Sequence, residues 1–136
     1  MKLITILIMF IGICACHAQY DRYNCLAMIE TGNNDKAVGA VGEVGRYQIK
    51  PDVWEQYSGG LPLSAAQDPF KSWTVAQRVM KDRVNWFIQT HRRQPSEREW
   101  ALLWHKPFSK RFSRADRDYA MCFDNLRSLD VNLTYN

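Results

Sequence analysis

Two hydrophobic patterns divide this chain. From Leu3 to Ile13 the residues are apolar except for Thr5 and Gly12, directly after Met1-Lys2. Such a run is short for a bilayer span and small residues follow it, the layout of a secretory signal. From Asp21 onward apolar and polar residues are mixed at helical spacing. Asp21 is placed to cap a first helix running through Thr31, with Gly32 as its stop. Tyr23, Ala27 and Ile29 form no clean stripe on it, which suits a helix buried on most sides. Between Asn33 and Ile49 the texture changes: Gly39, Gly42 and Gly45 alternate with Ala and Val. This predicts a glycine-rich loop with one or two short strands, where backbone can approach a ligand closely.

Pro51 then opens a short helix that ends near Tyr57, before Ser58-Gly59-Gly60. Asp68-Pro69 combines an N-cap with a first-turn proline and predicts a long amphipathic helix to Thr90. Its buried face is expected to hold Phe70, Trp73, Ala76, Val79 or Met80, Val84, Phe87 and Ile88, with Trp86 also in the core. Ser96 and Glu99 form a capping-box pattern for a helix over Glu97 to Trp104, and Pro107 ends it. Ser113 is placed to cap a last helix from Arg114 to Arg127. The sum is an α+β chain, mainly α, with a small β element after the first helix.

The length of 136 residues suits a signal peptide over 1–18 and one domain over 19–136. Cys16-His17-Ala18 carries small residues at its ends, so a signal peptidase could cut before Gln19. Ile13-Cys14-Ala15-Cys16 resembles a lipobox instead, which would leave Cys16 lipidated as the first residue. Because the folded region is expected to begin near Asp21, the reading leans to an exported form, periplasmic or secreted, over a membrane-anchored lipoprotein. No later stretch is long and apolar enough to cross a membrane as a helix.

Signal removal leaves Cys25 on the first helix and Cys122 on the last. In an exported protein this pair suggests a disulfide, worth about 3–5 kcal/mol in the chain-entropy description. The alternative is two thiols. No Cys/His spacing resembles a zinc site, so no metal is expected. The formal charge of +4 includes only Lys2 from the signal. A basic exported chain suits a polyanionic partner such as a cell-wall polymer or nucleic acid, and the signal argues against nucleic acid.

The informative stretch runs from Met28 to Ile49. Glu30-Thr31-Gly32 closes the first helix, and Gly45-Arg46-Tyr47-Gln48-Ile49 closes the loop. These resemble the front half of the lytic transglycosylase domain family, of the lysozyme-like superfamily. That family sets a catalytic glutamate in a Glu-Ser-Gly-like turn and follows it with a Gly-x-x-Gln-Ile element at this same interval. Asp68-Pro69-Phe70 resembles the start of the family's long helix. Ala101-Leu102-Leu103-Trp104-His105 sits where the family has Ala-x-x-Tyr/Trp-Asn. The resemblance covers Cys25 to Pro107 and departs at His105-Lys106-Pro107, where the family has Asn-Gly or Asn-Ala-Gly.

The resemblance implies a lysozyme-like fold, without a cofactor and as a monomer. It also implies cleavage of the β-1,4 bond between N-acetylmuramic acid and N-acetylglucosamine in peptidoglycan glycan strands. Glu30 would be the single acid and base, leaving a 1,6-anhydro end. Gln48, Tyr47, Trp104 and Thr31 would contact sugar.

The chemistry requires a proton on a poor leaving group. A carboxyl supplies it near neutral pH only if a dry setting raises its pKa. Ile29, Val41 and Trp104 are the expected apolar surround. Each residue also has a plainer reading. Glu30 could be an ordinary helix-end glutamate, Gln48 could bond the loop backbone, and Tyr47 could fill the core. Trp104 could cover Glu30 rather than stack on sugar. His105 could be a helix-end histidine, and Lys106, Lys110, Arg111 and Arg114 a solvated face or a hold on anionic polymer. A hydrolytic muramidase would need a second carboxylate to position water, with Glu43 first and Asp35 next. A glycan-binding or structural envelope domain without turnover is the reading from a different class.

Overall fold

The computed structural model describes residues 22–133. The signal over 1–18, the cleavage and lipidation positions Cys16 and Gln19, and the Asp21 cap lie outside the described residues. The fold is mainly helical. Helix α1 covers 22–31, α2 Pro51–Tyr57, α3 Pro69–His91, α4 Glu97–His105 and α5 Arg114–Leu133, with a 3-10 turn over Leu63–Gln67 between α2 and α3.

Local chemistry sets these boundaries. Asp68 accepts a hydrogen bond from the Lys71 N–H at 2.9 Å, and Pro69 occupies the first turn of α3. Ser96 and Glu99 complete the expected capping box on α4, each accepting from the other's backbone N–H at 3.2 and 2.9 Å. A second reciprocal cap opens α5. The Asp116 N–H donates to Ser113 Oγ at 3.1 Å, and the Ser113 N–H donates to Asp116 Oδ2 at 2.7 Å. Helix α1 stops where Gly32 turns to φ 65, its N–H reaching back to the Met28 carbonyl at 2.9 Å.

In the glycine-rich segment, two isolated antiparallel bridges, Val38 with Val44 and Val44 with Ile49, stand where one or two strands were expected.

The core gathers Leu26 of α1, Trp54 of α2, Val75, Val79 and Met80 of α3, and Phe123 of α5, with Ile49 from the loop. A line of aromatic rings threads it. Phe123 stacks on Trp100 at 5.4 Å, Trp100 meets Tyr23 edge-on at 5.4 Å, Tyr23 meets Tyr47 at 6.2 Å, and Tyr47 meets Trp104 at 6.3 Å. Each such pair adds about 0.5–1.5 kcal/mol beyond the area it buries. The line runs from α5 through α4 and α1 to the loop and back to the end of α4. Glu97 reinforces it by accepting from Arg22 of α1 at 2.7 Å and Arg127 of α5 at 3.2 Å.

Two expectations are corrected here. Phe70 is 70% exposed, not buried. The buried stripe of α3 runs through Ser72, Val75, Ala76, Val79, Met80 and Phe87. Phe70 stands about 200° round the helix from Ser72. The disulfide between Cys25 and Cys122 is not formed: Cys25 is buried in the core, while Cys122 is an exposed thiol. Helix α5 turns Tyr119, Ala120 and Phe123 inward, which leaves position 122 on the outer side. Among the described residues no helix is long and apolar enough to cross a membrane.

Candidate active site

Glu30 sits in the last turn of α1, half-buried. The loop that follows is tied back to that helix end. Thr31 Oγ1 donates to the Arg46 carbonyl at 2.9 Å and accepts from the Asn34 N–H at 3.0 Å. Arg46 grips Asp35 through a two-pronged ion pair at 2.6 and 3.0 Å, which holds the Asp35 carboxyl below its ordinary range. Gly45, at φ 80, lies so close to the Ala66 carbonyl that a Cβ there would collide with it. A Cβ on Gly39 would strike the Glu43 carboxylate and the Gln48 amide. Gly39 thus leaves both side chains room on one side of the loop.

Gln48 itself has φ 50, a conformation uncommon for a residue with a side chain. Its side-chain Nε2 and its backbone N–H both donate to the Gly45 carbonyl at 3.0 Å.

Glu30, Glu43, Gln48, Trp104 and His105 line one cavity of 460 Å³, whose wall also includes Arg83, Asp52 and Pro107. Three stretches far apart in sequence therefore meet: the end of α1, the loop, and the end of α4. A larger depression of 730 Å³ lies elsewhere, against Tyr23, Arg78, Lys81 and Trp100. No carboxylate lines it, so it offers no acid for the expected chemistry.

The carboxyl of Glu30 titrates above its ordinary value, chiefly because burial disfavours the anion. The opposing influences are smaller. Tyr119 donates its hydroxyl to Glu30 Oε1 at 2.6 Å, and His105 and the Trp104 indole also favour the anion, while the Glu43 charge pushes further up. Burial, then the Glu30 charge, drives the Tyr119 phenol far above its usual range, so it remains an O–H donor.

His105 stacks on Tyr119 with ring centres 4.1 Å apart, and its Nε2 is 3.1 Å from Asp116 Oδ1. Lys106 donates to the other oxygen of Asp116 at 3.0 Å. The Asp116 carboxyl lies well below its ordinary range, first because the Ser113 backbone N–H bonds it, then because of Lys106. Arg83 Nη1 donates to the carbonyls of Leu103 and Trp104, each at 3.0 Å, with its guanidinium 5.5 Å from the Trp104 ring centre.

Four expected site residues thus share the cavity: Glu30, Gln48, Trp104 and Glu43. Two named as sugar contacts do not line it. Tyr47 is 2% exposed and packs edge-on between Tyr23 and Trp104. Thr31 spends its hydroxyl on fastening the loop. Val41, expected beside Glu30, is 72% exposed at the loop tip, and Asp35 is committed to Arg46. Tyr119 and Arg83 were missed, because each is a polar residue within a helix whose partner comes from another element. Among the described residues no His, Cys, Asp and Glu group could hold a metal ion. No family model, no curated protein and no solved structure matches the chain.

Proposed function

We propose that this protein, exported, cleaves the β-1,4 bond between N-acetylmuramic acid and N-acetylglucosamine in peptidoglycan, with Glu30 as general acid and then base, on a lysozyme-like fold. The observation that carries the reading is Glu30 at a helix end, its pKa raised by burial, in one cavity with Gln48 and Trp104. A raised pKa keeps the carboxyl protonated to higher pH, so it can donate to the leaving oxygen. The carboxylate left behind then accepts the proton of the muramic C6 hydroxyl, which attacks C1 and closes the 1,6-anhydro ring. Tyr119 holds Oε1 of Glu30, which orients the carboxyl.

Hydrolysis is the second reading, favoured by Glu43 on the wall of the same cavity. There Glu43 would activate a water, and the product would carry a reducing end.

Both readings are tested by incubating purified sacculi with the protein and with Glu30→Gln. Gln keeps the volume and cannot donate the acid proton, so turnover should fall by at least about 10³-fold with thermal unfolding unchanged. Near-normal turnover in the variant would remove Glu30 from the chemistry. Product mass separates anhydro from reducing ends.

A further inference from the structure

Arg83 projects from the middle of α3 into the cavity wall and is half-buried. Two bonds from Nη1, to the Leu103 and Trp104 carbonyls, fix the plane of its guanidinium. The face of Trp104 supports that plane. Nε and Nη2 bond no described residue, and no carboxylate among the described residues forms an ion pair with Arg83. Asp52 acts on it only through longer-range charge. A half-buried cation without an acid partner costs stability, and an anion on a ligand would offset that cost. The Nε and Nη2 edge of a guanidinium is a fork that matches a carboxylate in two parallel hydrogen bonds.

We propose that Arg83 binds a carboxylate carried by the glycan, so that the cavity takes an anionic sugar unit in preference to a neutral one. The proposal rests on the glycan-cleaving reading above. The remaining charge on the wall makes the choice of residue matter. Glu30, Glu43 and Asp52 line the same cavity with Lys50, so a carboxylate entering at random would meet more acids than bases. Lys50 offers a carboxylate only a point charge, whereas Arg83, fixed against Trp104, offers it a fork of set direction and so sets the register of the strand over Glu30. Two groups on peptidoglycan carry this chemistry: the lactyl carboxylate of muramic acid on strands stripped of peptide, and the carboxylates of an attached stem peptide.

Calorimetry on the Glu30→Gln protein, which removes turnover, tests the assignment with three soluble tetrasaccharides of alternating N-acetylglucosamine and N-acetylmuramic acid. One has free lactyl carboxylates, one has them capped as neutral methylamides, and one carries tripeptides with free carboxylates. The capped ligand should bind about tenfold or more weaker than the better of the other two, and which of them is better identifies the source. Adding Arg83→Gln should bring all three ligands to parity, and Arg83→Lys should restore only part of the preference, because an ammonium lacks the fork. Equal binding of all three ligands to the protein with Arg83 in place overturns the proposal and needs no Arg83 variant to fold. An equal loss for every ligand on Arg83→Gln also overturns it, leaving Arg83 a support for the end of α4. Binding of no glycan at all would instead sink the glycan-cleaving reading on which the proposal stands.

Discussion

The two walls around Glu30 are built in opposite ways. The loop wall, between Thr31 and Ile49, is made by backbone: single bridges at Val38, Val44 and Ile49, a carbonyl at Gly45 that receives Gln48 twice, and glycines where a side chain would not fit. The helix wall is made by side chains reaching across elements: Tyr119 to Glu30, His105 on Tyr119, and Asp116 joining His105 to Lys106. The first wall sets the shape of the cavity. The second eases the hold of Glu30 on its proton, against the burial that raises it. A backbone clash in the loop wall should therefore register in stability, and a change in the side chains touching Glu30 in the pH dependence of turnover.

The sharpest break is at Gly45. Gly45→Ala forces a side chain onto φ 80 and against the Ala66 backbone, so the unfolding free energy should drop by roughly 3 kcal/mol in a denaturant titration. Gly39→Ala meets only the ends of Glu43 and Gln48, so it should lose less than half as much stability and lower turnover instead. If both variants lost the same stability, the loop wall would not be divided between fold and site.

Tyr119→Phe probes the other wall. Losing one hydrogen bond to a charged group should reduce turnover by about tenfold or more. The Tyr119 bond favours the Glu30 anion, so its removal should raise the Glu30 pKa further. The falling, alkaline limb of the pH–rate profile should then move to higher pH. A profile that loses height and keeps its limbs would mean that Tyr119 only packs.

Asp116→Asn should have the smallest effect and the clearest pH signature. The folded carboxyl lies below its ordinary value, so its contribution is present above the unfolded carboxylate pKa of about 4 and is lost as pH falls toward the folded value. Thermal unfolding should place the variant below the parent at pH 7, with the gap closing in acid. A gap that stayed constant with pH would assign the loss to packing.

The same division governs how much could be read from the chain. Caps are local, so Asp68, Ser96 with Glu99, and Ser113 announced the starts of α3, α4 and α5. The sequence pattern ends α5 at Arg127, while the helix runs to Leu133. No glycine or proline stands after Arg127 to stop it. Glu30, Gln48 and Trp104 are named through motifs and Glu43 as the second carboxylate that hydrolysis needs, and all four share one cavity. Tyr119 carried no signal, because nothing in its neighbourhood says that it will meet a residue 89 positions earlier. Arg83 had the same disguise, a basic residue on a helix that elsewhere shows basic residues to water. Cys25 and Cys122 were matched by compartment and count, and neither reports which way a helix is turned.

One consequence concerns chain direction. Glu30 stands in the last turn of α1, and Trp104 and His105 stand in the last turn of α4. Both helices therefore bring their C-terminal ends, the negative poles of their peptide dipoles, to the same cavity. Each such pole disfavours a neighbouring anion and favours a neighbouring cation by about 0.3–1 kcal/mol. For Glu30 this adds to burial in keeping the proton on. For a sugar ring in mid-cleavage the sign is also favourable, because positive charge gathers on the ring carbon and oxygen as the bond breaks. Had the same residues been threaded in the reverse direction, both poles would be positive, and the cavity would hold a glutamate anion beside a disfavoured glycosyl cation.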